Sequence, residues 1–96
     1  MERRHYVVTY DISDDRRRTD VFRTLLGQGD HAQYSVFFCE LTDQELVNLR
    51  SRLRSFINAA EDQILIVDLG RATRSLDVGI ECIGRAYEPP VKTLVV

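Results

Sequence analysis

Two stretches with apolar residues at helical spacing, each flanked by β-type runs, most constrain how this chain can fold. The first carries Val21, Phe22, Leu25 and Leu26; the second carries Leu46, Leu49, Leu53, Phe56 and Ile57. Before the first lies a strand, Tyr6 to Ile12, apolar on both faces as a central strand would be. Between the two lies Ala32 to Leu41, AQYSVFFCEL, rich in aromatic and β-branched residues and extended. The sequence leaves open whether this is one long strand or two short ones bent near Ser35. After the second comes Gln63 to Leu69, QILIVDL, a nearly unbroken apolar run expected to be central or covered on both faces. Strand, helix, extended segment, helix, strand is the order of an α+β sandwich, an antiparallel sheet covered by helices on one face.

The helix limits are written in the sequence. Helix one is expected from about Asp14 to Leu26, stopping at Gly27-Gln28-Gly29. Helix two opens on a capping box, Thr42 with Glu45, and Leu41 and Leu46 stand where a hydrophobic staple would. Arg50 and Arg54, one turn apart, read as a solvated face. Gly70 to Asp77 reads as a polar loop containing Arg71 and Arg74. Val78 to Ile83, with glycines at 79 and 84, reads as a weak strand. Tyr87-Glu88-Pro89-Pro90 breaks the chain before a short apolar tail, Val91 to Val96. Apolar segments left over after a full sheet would be sticky edges, and pairing with a second copy of the chain resolves this. A homodimer with shared or exchanged terminal strands is therefore expected.

The 96 residues suffice for one domain with a thin core, and no repeat or linker divides them. No apolar run approaches a membrane span and no signal-peptide pattern opens the chain, so a cytoplasmic location is expected. Net charge is −2, so nucleic-acid binding would need a local basic patch. Every basic residue but Lys92 is arginine, the side chain suited to bidentate phosphate contacts. Cys39 and Cys82 match no metal-ligand spacing and read as reduced thiols. His5 and His31 are isolated and read as surface or strand-edge residues.

Chemistry is concentrated in YVVTYDISDDRRR, Tyr6 to Arg18. Asp11 ends the strand, Ser13-Asp14-Asp15 turns, and Arg16 to Arg18 open the helix. Arginines in a first turn oppose the helix dipole, and an anion such as phosphate would use that surplus of positive charge. Arg16 and Arg23 project away from the apolar stripe, while Arg18 falls near its open end and can curl back to the strand tip. Asp14 and Asp15 read as caps. Asp68, near another strand end, reads as structural. Asp11 reads either as a turn former or as an oxygen ligand for a cation such as Mg²⁺, which needs only one or two carboxylates. One chain offers one such acid; a two-fold dimer with this tip near its axis offers two. No serine triad, Walker loop, GxGxxG or CxxC is present. Tyr10, Tyr34 and Phe37 are candidates for stacking on bases if exposed, with core packing the simpler reading of Phe37.

These residues resemble the CRISPR-associated protein 2 family of spacer acquisition. The resemblance rests on Tyr10-Asp11-Ile12 at the strand end, then Asp15, Arg17 and Arg18, then Gln33-x-Ser35-Val36-Phe37 before an acid and a leucine. QILIVDLG and GIECIG also fit, so most of residues 5 to 84 is covered. The resemblance implies a ferredoxin-like βαββαβ fold with an extra C-terminal strand, within 78–96, and a homodimer. It implies one Mg²⁺ or Mn²⁺ held between the two Asp11 side chains, and metal-dependent cleavage of phosphodiester bonds in single-stranded RNA or duplex DNA. Arg17 and Arg18 would hold the backbone or stabilise transition-state charge, and Ser13 and Tyr10 would orient water or ligand. Arg16, Arg17, Arg18 and Arg23 would form the nucleic-acid grip. The resemblance also implies CRISPR integrase dimers as partners, which allows a different reading: a non-catalytic dimeric scaffold bridging them on DNA. A third reading is a toxin-like ribonuclease of the virulence-associated protein D type.

Overall fold

The sheet is antiparallel throughout, and along it the four strands stand in the order second, third, first, fourth in chain sequence, so that both helical connections cross over a neighbouring strand. The computed structural model describes residues 2–87. Its elements are β1 (Arg3–Asp11), α1 (Asp15–Leu26), β2 (Asp30–Gln33), β3 (Val36–Thr42), α2 (Asp43–Phe56) and β4 (Gln63–Arg71). This is the expected ferredoxin-like βαββαβ order. β1 is central, paired with β3 on one edge and β4 on the other. Its alternate residues Tyr6, Val8 and Tyr10 are buried with Val21 and Leu25 of α1 and Leu49 and Leu53 of α2. Val7 and Thr9 point to the opposite face, where Val7 stands across from Phe38 and Val67, and Thr9 from Val36 and Leu65.

Capping fixes both helices. Asp14 adopts extended backbone and its carboxylate accepts the Arg17 backbone N–H at 2.9 Å. Gly27 closes α1, its N–H turned back to the carbonyls of Arg23 and Leu25. The Thr42 hydroxyl accepts the Glu45 N–H at 3.2 Å, and Glu45 accepts the Thr42 N–H at 2.9 Å, so the capping box is complete. Gly29 follows α1 where a Cβ would lie 2.5 Å from both Cys39 Sγ and the Phe38 carbonyl oxygen. Only glycine lets the chain pass so close to β3.

Several expectations are corrected. Ala32 to Leu41 is two strands, because the chain turns at Tyr34-Ser35. β1 starts at Arg3, since Arg3 and Arg4 are paired with Thr42 and Leu41, and it ends at Asp11, one residue short of Ile12. β4 is an edge strand of the protomer, not a central one; Leu65 and Val67 remain 51% and 47% exposed on the face away from the helices. Val78 to Ile83 is not a strand: a 3₁₀ turn, Leu76–Gly79, occupies its start and irregular backbone continues to Tyr87. Without long β-branched alternation, and with Gly79 inside it and Gly84 just after it, the segment joins no ladder among the described residues. His5 is buried on central β1, not at an edge, and its Nε2 pairs with the Arg74 carbonyl at 2.8 Å. The apolar tail 91–96 lies outside the described residues. Of the two free cysteines, Cys39 is buried and Cys82 exposed, and burial pushes the Cys39 thiol up to about 11.

The sheet's far end is stapled by Arg4, whose guanidinium reaches the Asp68 carboxylate at 3.1 Å. The Arg4 bond holds Asp68 below the usual carboxylate range, and the Thr42 N–H does the same for Glu45. Both carboxylates titrate lower folded than unfolded, so their contributions are complete above their unfolded pKa values. They are lost as pH falls through the folded values. The melting temperature is expected to be flat from about pH 7 to 5 and to drop below about pH 4; a thermal denaturation series over that range checks it. Thr42→Ala is expected to cost about 1 kcal/mol in urea unfolding.

A candidate nucleic-acid site at the tip of β1

Asp11 is the last residue of β1, opposite Gln63 of β4, and shares the outer sheet face with Val7 and Thr9. It is exposed, and among the described residues its carboxylate takes part in no hydrogen bond or ion pair. A rigid strand thus presents a carboxylate that the rest of the described residues leave unused.

Arg18 curls back to the tip as expected. Its Nη1 donates to the carbonyl oxygens of Ile12 and Ser13, both at 3.1 Å, and its Nη2 pairs with the Asp15 carboxylate. The turn between β1 and α1 is therefore closed by a guanidinium. Ser13 is exposed, its carbonyl held by that contact. Tyr10 lies on the other face from Asp11; its ring is buried, stacked on Phe37 at 6.3 Å, and burial raises its phenol pKa.

Arg17 points elsewhere. Its Nε donates to Asp62 Oδ2 at 2.7 Å and its Nη2 to Glu61 at 3.0 Å. The Asp62 side chain has no exposed surface and also accepts the Asn58 N–H at 2.9 Å. The shared hydrogen bond raises the Arg17 pKa above its ordinary value and lowers that of Asp62. Arg17 therefore ties α1 to the loop entering β4, and much of its charge is answered within the protomer. Arg16 and Arg23 are exposed and form no ion pair among the described residues. Seven positions apart, they share one side of α1. Of the four expected phosphate contacts, these two stand free and two are engaged in structure.

Asp62 and Glu61 were not singled out by the sequence. Their signal is visible only once β1 and β4 are paired, because that register brings residue 63 beside residue 11. Asp68 is structural as read, through Arg4. A cleft of about 730 Å³ lies away from Asp11, between α2 and β4; Arg50 and Arg54 sit on it.

The described residues contain no group of three or more His, Cys, Asp or Glu side chains placed to hold a metal. Asp11 alone fits a hard, oxygen-liganded cation in part: an exposed carboxylate with no competing cation on it, needing a second donor from elsewhere. No described helix is long and apolar enough to cross a membrane.

Comparison with known proteins gives this arrangement a family. The model for CRISPR associated protein Cas2 matches residues 4–75. A protein of Rhodospirillum rubrum named CRISPR-associated endoribonuclease Cas2 1 is 41% identical over 83 residues, 86% of this chain and 80% of that one. A Geobacter sulfurreducens protein named CRISPR-associated endoribonuclease Cas2 is 34% identical over 91 residues, 95% of each chain. Among solved structures, hypothetical protein TT1823 from Thermus thermophilus superposes with a TM-score of 0.75 at 33% identity, covering 92% of this chain and 99% of that one. Streptococcus pyogenes Cas2 superposes with a TM-score of 0.71 at 28% identity, covering 83% and 99%. With the family model spanning β1 to β4 and both helices, the chain belongs to the Cas2 family of CRISPR-associated proteins.

Proposed function

We infer that this chain is an endonuclease of CRISPR spacer acquisition that hydrolyses phosphodiester bonds as a divalent-cation-dependent homodimer. Relatives named endoribonucleases support RNA as a substrate, and duplex DNA is the other candidate. One observation carries the reading: the unpaired Asp11 carboxylate shares its sheet face with an uncovered apolar patch that includes Leu65 and Val67. Burying such a patch against its own copy is a strong driving force, at roughly 25 cal/mol per Å². A two-fold packing of these faces, with its axis near the β1 tips, supplies the second Asp11.

When bound, Mg²⁺ or Mn²⁺ neutralises phosphate charge and makes a coordinated water more acidic. The chain's own residues do the rest. Asp11 would hold the cation, and the exposed Ser13 hydroxyl would orient water or phosphate. Arg18 keeps the turn closed so that both groups stay in place. Arg16 and Arg23 receive the flanking phosphates. In-line attack of water on phosphorus breaks the bond to the 3′ oxygen, leaving a 3′-hydroxyl and a 5′-phosphate.

A second reading is favoured by those same free arginines. Arg16 and Arg23 can grip a DNA backbone without any cleavage, in a dimer that bridges the integrase dimers. Spacer insertion in cells that survives Asp11→Ala but is lost on removal of residues 91–96 would select this scaffold over the nuclease.

Asp11→Ala is expected to abolish Mg²⁺-dependent cleavage of labelled single-stranded RNA and duplex DNA; cleavage at the parent rate refutes the catalytic reading. Arg16→Ala and Arg23→Ala are each expected to weaken binding across sequences and to reduce the slope of log affinity against log salt by about one. Titrations at several salt concentrations measure that slope.

A further inference from the structure

On the helix side of the same strand tip lies a cleft of about 320 Å³, at the small end of ligand pockets, which run from about 300 to 1,000 Å³. Its walls are Phe22 of α1, His31 of β2 and Tyr34 of the β2–β3 turn, with hydroxyl groups from Thr19 and Ser35. Tyr34 is 89% exposed. A large aromatic at the tip of a tight turn, packed on almost nothing, contributes little to the fold.

Its neighbours are ordered. The His31 ring stacks on Phe37 at 4.8 Å and meets Phe22 edge-on at 5.2 Å. His31 Nε2 lies 3.2 Å from the Tyr34 carbonyl, which ties the turn to this aromatic cluster. The Ser35 carbonyl accepts the Tyr10 N–H at 3.2 Å, so the turn is also joined to the peptide just before Asp11. The Ser35 hydroxyl faces the Tyr10 phenol, and a hydroxyl can both donate and accept. The open face of the Tyr34 ring, a hydroxyl beside it and a rigid mount match what a planar heteroaromatic base requires.

We propose that this cleft binds one unpaired nucleobase of a single strand whose backbone passes Asp11, with Tyr34 as the stacking surface and Ser35 at the base edge. The proposal rests on the reading of the β1 tip as a nucleic-acid site. It assigns that site a preference for single strands, because a base held in a duplex cannot leave its stack to enter without an added cost. Stacking tolerates every base, and the Ser35 hydroxyl supplies any preference among them.

The test is equilibrium binding of the full chain, in EDTA so that nothing is cleaved. The probes are a fluorescent single-stranded RNA, the same RNA with abasic positions, and duplex DNA. Tyr34→Ala is expected to weaken binding of the intact RNA about tenfold. Tyr34→Phe should bind it like the parent, since the ring remains. The abasic RNA should bind the parent as weakly as intact RNA binds Tyr34→Ala, and duplex DNA should not respond to either substitution. The proposal is overturned if Tyr34→Ala binds intact RNA as the parent does, if Tyr34→Phe loses as much as Tyr34→Ala, or if duplex DNA is weakened equally. Because binding is read without a divalent cation, an Asp11→Ala chain that still cleaves would sink the catalytic reading and leave this result standing.

Discussion

Strand β1 is hydrogen-bonded along both edges, and the groups at its carboxyl end owe their fixed positions to that double pairing. A strand held on one side can twist or slip; one held on two sides cannot shift by a residue without exchanging its buried and exposed sets. Here the buried set is Tyr6, Val8 and Tyr10, which pack under both helices. Register is therefore enforced by the core, and Asp11 falls on the outer face as a consequence. Arg18 extends the constraint past the strand by closing on the Ile12 and Ser13 carbonyls.

The three consecutive arginines have separate tasks, although the sequence offers them as one cluster. Arg17 bridges α1 to Asp62 and Glu61 before β4. Arg18 builds the turn. Arg16, together with Arg23 further along α1, faces solvent. The local clash of positive charge with the helix dipole is relieved by acids: Asp14 at the cap, Asp15 on Arg18, and the buried Asp62 on Arg17. A surplus of arginine at a helix start thus proves to be mostly internal wiring.

Local rules made much of this legible. The capping box at Thr42 and Glu45, the glycine stop after Leu26 and the helical stripes are settled within a few residues of chain, so the sequence reads them directly. The α+β order follows from them, and the strand-tip position of Asp11 with it. What escaped depends on distant partners. QILIVDL looks central because it is apolar on both sides, yet one of those sides lies open in the protomer. His5 looks isolated because its partner, the Arg74 carbonyl, is 69 positions away. The split at Tyr34-Ser35 turns on how the chain returns to pair with itself, and composition alone leaves it undetermined.

The sheltering of Asp62 separates two electrostatic regimes within a single helix. Added electrolyte damps charges that face solvent, with a Debye length near 8 Å at physiological strength, and affects an enclosed pair far less. Arg17 and Asp62, in contact at 2.7 Å with the acid enclosed, belong to the second kind. Arg16 and Arg23 belong to the first. Electrolyte strong enough to damp the charges of Arg16 and Arg23 would therefore leave the brace between helix and sheet standing, so the outer face of α1 can be neutralised without loosening the frame beneath it.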